Sequence, residues 1–181
     1  MPSPIGHALA GMAAGWMIAA PPAGGRRAVI QAAGFVLAAT VPDLDLLTGG
    51  HRGPTHSLAA ALCAGAVTWT WVTVVPGRAF SAAGHPRPKG WAALRFAVAM
   101  TAAYATHTLL DWLGSDSSVP VGIMALWPMS RDYYASDSHV FMSIWRRYWT
   151  PGFWTHNTLA VAREVAILGP LAWLAWRKRQ G

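Results

Sequence analysis

The sequence predicts an all-α fold, a polytopic membrane helical bundle of about five apolar helices with one long segment at the membrane surface. Three observations predict this class. Of the 181 residues, 54% are hydrophobic and only 12% are charged, whereas a soluble domain carries about 25% charged residues. Eleven tryptophans are available for the interfacial belts of a membrane protein. The apolar residues form long runs without period-two alternation, which argues against strands.

Five apolar runs are the predicted helices, and we expect them to form one domain over residues 1–181. The last three runs have 18 residues each, close to the roughly 20 that cross a bilayer. The first two are shorter and rich in Gly and Ala, which favours close helix packing. They either span with tilt or local thinning, or form a re-entrant hairpin. The runs are 8–20, 28–41, 58–75, 96–113 and 159–176.

Between the last two runs, the segment 115–157 carries seven tryptophans and tyrosines. Amphipathic aromatic rings favour the headgroup level of a bilayer. The segment is therefore predicted to lie on the membrane surface. Its aromatic residues are Trp127, Tyr133, Tyr134, Trp145, Tyr148, Trp149 and Trp154.

The basic residues predict the orientation in the membrane. Nine of the 14 fall in segments 21–27 and 76–95 and in the C-terminal tail, which five spans would place on one side. The positive-inside rule puts that side in the cytoplasm, which indicates a multi-pass membrane protein. Because the net charge of +7 is not gathered in one patch, no nucleic-acid partner is expected.

Histidines and aspartates lie at the ends of the apolar runs, and five spans bring them all to the opposite, external or periplasmic face. Imidazole and carboxylate groups are the ligands of zinc and similar ions, and they are costly to bury without compensation. The sequence therefore predicts one composite metal site near that face. The residues are His7, Asp43, Asp45, His51, His56, His107 and Asp111.

Local spacing suggests a role for each group. His107 and Asp111 are four apart in a helical run and share one face; the alternative is a hydrogen bond between the two. Asp43 and Asp45 follow Pro42, and in an extended turn they would point the same way, one ligating and one orienting a histidine. A helix cap or turn is the alternative for this pair.

The turn from His51 to His56 encloses Gly53 and Pro54, and Thr55 or Ser57 could cap the helix that begins near residue 58. Arg52 is suited to a phosphate or a carboxylate, or is an interfacial arginine. Glu164 lies beside Arg163 inside an apolar run. Acids within a membrane are functional candidates, although this pair could also neutralise itself.

Several of these short segments together resemble a known family. They are Gly6-His7, Pro42-Asp43-Leu44-Asp45, His51-Arg52-Gly53-Pro54-Thr55-His56-Ser57, His107-Thr108-Leu109-Leu110-Asp111 and Leu126-Trp127-Pro128. They resemble the membrane-bound, metal-dependent hydrolase family that includes a LexA-regulated inner-membrane hydrolase. The resemblance covers residues 6 to about 130. That family is similar in turn to zinc-dependent phospholipase C and single-strand nucleases, which are helical proteins with a multinuclear zinc site.

The resemblance implies site residues and a reaction. It implies that the metal ligands are His7, Asp45, His56, His107 and Asp111, with Asp43 and His51 as ligands or partners behind them and Glu164 as a late acidic ligand. The implied activity is phosphoester hydrolysis by a metal-activated water on a lipid-like or other phosphoester substrate. Zinc is the expected cofactor, as one ion or more, with Mn²⁺ and Fe²⁺ as alternatives. Asp43 or Asp45 would accept the proton and Arg52 would hold a phosphate oxygen.

Two other functions use the same residues. A metal or proton transporter would carry its ligands at the external mouth, but transport needs polar groups that continue through the bilayer. Only Arg163 and Glu164 meet that need. A non-catalytic membrane protein that a bound metal stabilises is the second alternative.

Overall fold

Five α-helices are present in the computed structural model, which describes residues 1–20, 22, 25–48, 52–74, 90–116 and 119–178. Helix α1 covers Pro4–Ile18, α2 Gly25–Thr40, α3 Leu58–Val74, α4 Trp91–Trp112 and α5 Phe153–Arg177. Two 3-10 segments, Val41–Thr48 and Pro54–His56, lie between α2 and α3. In this described part of the chain the only strand-like pairings are two isolated bridges. The prediction of an all-α fold is therefore confirmed.

The predicted number of spanning helices is larger than the structure supports. Within the described residues, two helices are long and apolar enough to cross a membrane by length and composition, Gly25–Leu47 and Phe153–Arg177; Leu58–Val74 is a shorter apolar helix. Helix α1 has only 15 residues. Helix α4 is long enough, but it buries His107, Thr108 and Asp111 among its apolar residues. These polar residues lower the mean hydropathy of α4, which explains why α4 is not among the candidate spans.

Helix α1 runs antiparallel to both α2 and α4. Along α1 and α2, Gly11 meets Ala39 while Gly15 meets Phe35. A Cβ atom on Gly15 would lie 2.5 Å from two atoms of the buried Phe35 ring, so only glycine allows this approach. At the far end of α1, Arg95 of α4 donates to the Ile18 carbonyl at 2.8 Å.

The remaining helices complete an alternation of direction. Helix α3 is antiparallel to α4, since Gly65 packs on Thr101 while Thr55, just before α3, accepts a hydrogen bond from Tyr104. Helix α5 is parallel to α1, because Glu164 meets Ser3 while Leu168 shares an apolar cluster with Ala10. Helices α1, α3 and α5 therefore point one way and α2 and α4 the other. The ends that carry the predicted site residues meet at one end of the bundle.

Small residues fill the interior, and large apolar side chains cover the outside. The buried set is rich in alanine, including Ala10, Ala39, Ala97, Ala99, Ala103 and Ala160. Exposed side chains include Met17, Val29, Leu37, Val67, Trp71 and Trp173. An interior of small residues lets membrane helices approach closely, and an apolar exterior of this extent marks a surface that water does not cover.

The segment between α4 and α5 has no regular helix in its described residues, and it folds back on the site end of the bundle. The Phe141 amide donates to the Leu113 carbonyl at 3.3 Å, and the Ile144 amide donates to the Met1 carbonyl at 3.0 Å. The Met1 ammonium in turn donates to the Ser115 carbonyl at 3.3 Å, and burial lowers the pKa of this ammonium. The segment therefore ties the N-terminus to the end of α4.

Candidate metal centre

Four side chains from three parts of the chain place one ligand atom each within 4.8 Å of all the others. Asp43 comes from the 3-10 segment after α2, His56 from the turn before α3, and His107 and Asp111 from α4. His56 and His107 are fully buried, and Asp111 is nearly so. The carboxylate of Asp43 keeps 22% of its surface exposed. This set is called the four-ligand cluster below. Three of its side chains are shielded from solvent, and solvent reaches the cluster only at Asp43 among them.

The contacts inside the cluster are longer than ordinary hydrogen bonds. Asp111 Oδ2 lies 3.4 Å from His107 Nε2 and 3.4 Å from His56 Nε2. Within the described residues, the Asp111 oxygens, Asp43 Oδ1 and His107 Nε2 are buried and make no hydrogen bond. Burying a carboxylate costs several kcal/mol unless it is compensated. These atoms therefore face a shared point rather than bonding to each other.

The spacing fits a bound divalent cation. Ligand atoms placed about 2.0–2.2 Å from a tetrahedral zinc lie about 3.3–3.6 Å apart. Besides the two contacts of 3.4 Å, Asp43 Oδ1 is 3.6 Å from His107 Nε2 and 3.8 Å from His56 Nε2. Two imidazoles and two carboxylates also form a donor set that zinc accepts. The residues present therefore fit a metal ion.

His107 is held in the tautomer that a metal needs. Its Nδ1 lies 2.7 Å from the Ala39 carbonyl of α2. Because a carbonyl only accepts, Nδ1 carries the proton and Nε2 turns its lone pair to the cluster. The close packing of α1, α2 and α4 makes this contact possible.

His56 is oriented from behind by Asp45. Its Nδ1 lies 3.3 Å from Asp45 Oδ2 and 3.1 Å from Thr55 Oγ1. The same Asp45 oxygen accepts from the Thr55 hydroxyl and from the Arg52 amide, both at 3.0 Å. The Asp45 carboxylate thus orients both the His56 imidazole and the turn that carries it. Carboxylates that hydrogen-bond to metal-ligating histidines commonly have this role.

The expectation that Asp43 and Asp45 point the same way is wrong. They lie in a 3-10 helix, Val41–Thr48, instead of an extended turn. With three residues per turn, side chains two apart diverge by about 120°. Asp43 consequently reaches Nε2 of His56 while Asp45 reaches Nδ1.

His7 lies against the cluster on its far side. Its ring stacks on His107 with centroids 4.0 Å apart, and its Nε2 is 3.4 Å from Asp111 Oδ1. The ring is fully buried, and neither nitrogen makes a hydrogen bond within the described part of the chain. Asp111 therefore faces His7 with one carboxylate oxygen and the two cluster histidines with the other.

Arg52 is buried beside the cluster and has a carboxylate partner. It lies in the left-handed backbone region with φ of 64°. Its guanidinium pairs with Asp116 and donates to the Pro120 carbonyl at 3.4 Å. Asp116 also accepts from the Gly122 amide at 3.0 Å. The arginine therefore joins the 52–56 turn to the segment after α4, and its contact with phosphate stays a prediction.

Glu164 lies outside the four-ligand cluster, at the start of α1. One carboxylate oxygen accepts from the Ser3 amide at 2.7 Å and the other from the Ser3 hydroxyl. A Cβ on Gly6 would lie 2.6 Å from this carboxylate. Glu164 is fully buried, so the N-terminus of α1 and the Ser3 hydroxyl stabilise its charge. Arg163 is not needed for that role.

Ser3, Thr55, Tyr104 and Asp116 support the site, although sequence reasoning did not assign them these roles. Ser3 carried a usable signal, because a serine directly before Pro4 is typical of a helix N-cap. Ser57 does cap α3, as expected, by accepting from the Ala60 amide at 3.1 Å. His51, a predicted ligand, lies outside the described residues.

Similarity to known proteins agrees with the membrane character of the chain. Comparisons with curated proteins and with solved structures found no match. The family model of the YdjM inner membrane protein matches residues 1–180, nearly the whole chain. The chain therefore belongs to the YdjM inner membrane protein family.

Proposed function

We propose that this inner membrane protein is a metal-dependent hydrolase of phosphoesters, with lipid-like substrates favoured by its location. The observation that carries the proposal is the four-ligand cluster, in which two buried imidazoles and two carboxylates face one point with contacts of 3.4–3.8 Å, longer than ordinary hydrogen bonds. A divalent cation held there, zinc first and Mn²⁺ or Fe²⁺ next, would supply Lewis-acid activation of water and of the scissile oxygen.

The chain's own residues divide the remaining tasks. His56, His107 and the buried Asp111 would hold the cation, which leaves room for a water molecule on the side of Asp43. Asp43 is the cluster carboxylate with the largest exposed fraction, which makes it the group that an incoming substrate and its water reach first. We assign Asp43 the role of proton acceptor. Asp45 keeps His56 in orientation from the opposite side.

Membership of an inner membrane family and the alternation of helix direction support a multi-pass arrangement. The site end of the bundle is the end away from the described members of the basic clusters, which are Arg26, Arg27, Arg95, Arg177 and Lys178. By the positive-inside rule this end faces the periplasm. A substrate would therefore enter from the outer leaflet or from the periplasm.

The test uses full-length protein in detergent, stripped with a chelator and reloaded with zinc, manganese or iron. Hydrolysis of a generic phosphodiester and of phospholipid vesicles is measured, together with the metal content per chain. We expect metal-dependent turnover that falls at least 100-fold in His107→Ala and Asp111→Asn. His139→Ala, at an exposed position, is the matched control and keeps wild-type turnover.

Each alternative function gives a different result. A metal that raises the melting temperature without turnover on any substrate would indicate a structural site. Metal-dependent uptake into liposomes that is lost in His107→Ala would indicate a transporter. Either result would overturn the hydrolase proposal.

A further inference from the structure

An apolar groove of about 300 Å³ lies directly beside the candidate metal centre. It is bounded by Leu58 at the start of α3, by Thr108, Leu109 and Trp112 of α4, and by Ile123 and Leu126 of the following segment. None of its lining residues is charged. Its volume is at the lower end of the range for small-molecule pockets.

The groove and the four-ligand cluster share their supporting segments. Thr108 directly follows His107, and at about 100° per helical residue it faces the sector next to that of His107 and Asp111. Leu58 is two residues after His56, and its amide donates to the Ala125 carbonyl at 3.0 Å. A molecule in the groove therefore has its end beside the cluster.

One polar atom interrupts the apolar wall. Thr108 is 4% exposed and lines the groove, yet its hydroxyl makes no hydrogen bond within the described residues. An unsatisfied buried hydroxyl costs about 1–3 kcal/mol in general. A ligand with a hydrogen-bond acceptor at this depth would remove that cost.

The mouth of the groove is continuous with the outer surface of the bundle. Leu58, Leu109 and Trp112 are 50%, 48% and 39% exposed, whereas Ile123 at the floor is 1% exposed. In a member of an inner membrane family, exposed apolar residues on α3 and α4, such as Leu62 and Val98, face lipid. The occupant can therefore enter sideways from the bilayer.

We propose that this groove binds one acyl chain of a membrane phospholipid, with the Thr108 hydroxyl donating to the ester carbonyl of that chain. This placement would leave the phosphoester beside the four-ligand cluster. The inference rests on the proposed hydrolase function for its catalytic meaning, and it names phospholipid as the substrate class. Chain binding itself needs no metal and can be measured separately.

The experiment uses full-length protein in mixed micelles with a phosphatidylglycerol that carries a diazirine in one acyl chain. After irradiation, mass spectrometry quantifies labelling of the peptides that contain Leu109 to Trp112 and Ile123 to Leu126. We expect saturable labelling of both peptides. In Ala105→Phe, which fills the groove, labelling should fall at least five-fold. Val98→Phe is the matched control, since it changes a lipid-facing position on the same helix outside the groove.

Two further variants separate the parts of the inference. Thr108→Val should move half-saturation to roughly three- to ten-fold higher lipid concentration, as the loss of one hydrogen bond predicts. His107→Ala should label like the wild type, because the chain site does not need the metal. Saturable labelling without any hydrolysis would keep the groove and reject the hydrolase. Labelling that rises linearly with lipid and is equal in Ala105→Phe would overturn the groove, whatever the hydrolysis assay shows.

Discussion

Asp111 is a fully buried carboxylate surrounded by three imidazoles. His7 lies at 3.4 Å from one of its oxygens, and His56 and His107 lie at 3.4 Å from the other. Removing one partner of a buried charge pair costs about 3–5 kcal/mol. A cation held by the same atoms would add its binding energy to the fold, so the stability of the protein should also depend on metal.

The first prediction uses Asp111→Asn to separate these two effects. Without metal, the variant should be less stable than the wild type, because His7 and His107 lose the buried carboxylate that they face. With zinc at 100 times its Kd, the wild type should gain about 2.7 kcal/mol and the variant almost nothing. Melting temperatures in detergent, with chelator and with zinc, check both signs. Equal zinc shifts in the two proteins would remove Asp111 from the site.

The second prediction concerns Asp45, which contacts His56 Nδ1 from behind. Asp45→Asn keeps an acceptor for the Thr55 hydroxyl but weakens the hold on the imidazole. Partners of this kind change metal affinity by about 10- to 100-fold. Zinc titration with a competing chelator should show that loss with the metal count per chain unchanged. Asp137→Asn, at an exposed position, serves as control and should bind like the wild type.

At the scale of elements, the polar connection between α1 and α5 is separate from the metal ligands. Glu164 lies in the middle of α5, and Ser3 with its amide and hydroxyl begins α1. His7 lies one turn into α1 and so depends on this anchor for its position. The contact between Glu164 and Ser3 thus links α5, which is long enough to span a membrane, to α1, which supplies the candidate ligand His7.

The third prediction follows from this separation. Glu164→Ala should lower the melting temperature by about 5–10 °C, since a hydrogen-bonded buried charge contributes about 1.5–3 kcal/mol. Its metal content per chain should equal that of the wild type. Ser3→Ala should cost less, and the double variant should cost less than the sum because the two residues share one interaction. A loss of metal in Glu164→Ala would instead make Glu164 a ligand.

The elements were more predictable from sequence than the contacts between them. The apolar runs 28–41 and 58–75 match α2 and α3 closely, because long stretches without charge have few alternatives to a helix. Alternating topology also brings His7, His56 and Asp111 together. The roles of Asp43 and Asp45 depended on a 3-10 geometry, and the pairing of Arg52 with Asp116 depended on a segment without periodicity. Neither the 3-10 geometry nor the arginine–aspartate pairing produces a periodic sequence pattern that could have predicted it.

At the scale of the whole molecule, the direction of the helices and the distribution of charge agree. Helices α1, α3 and α5 start at the site end, and the described segment between α4 and α5 lies there as well. Exposed Tyr148, Trp149 and Trp154 in and next to this segment suit the headgroup level. Described basic residues lie at the other end, with Arg26 and Arg27 at the start of α2, and with Arg177 and Lys178 at the end of α5. This arrangement is the basis for the proposal of a site at the periplasmic surface.

The fourth prediction tests that orientation with single cysteines. Cys63 is the one cysteine of the sequence, so Cys63→Ser gives a background without thiols. In that background, Ser138→Cys marks the site end and Lys178→Cys the basic end, and both positions are exposed. A membrane-impermeant maleimide should label the cysteine at 138 in intact spheroplasts, and the cysteine at 178 only after lysis. The reverse pattern would place the candidate metal centre at the cytoplasmic surface, whereas labelling of both from outside would mean that α5 does not cross the membrane.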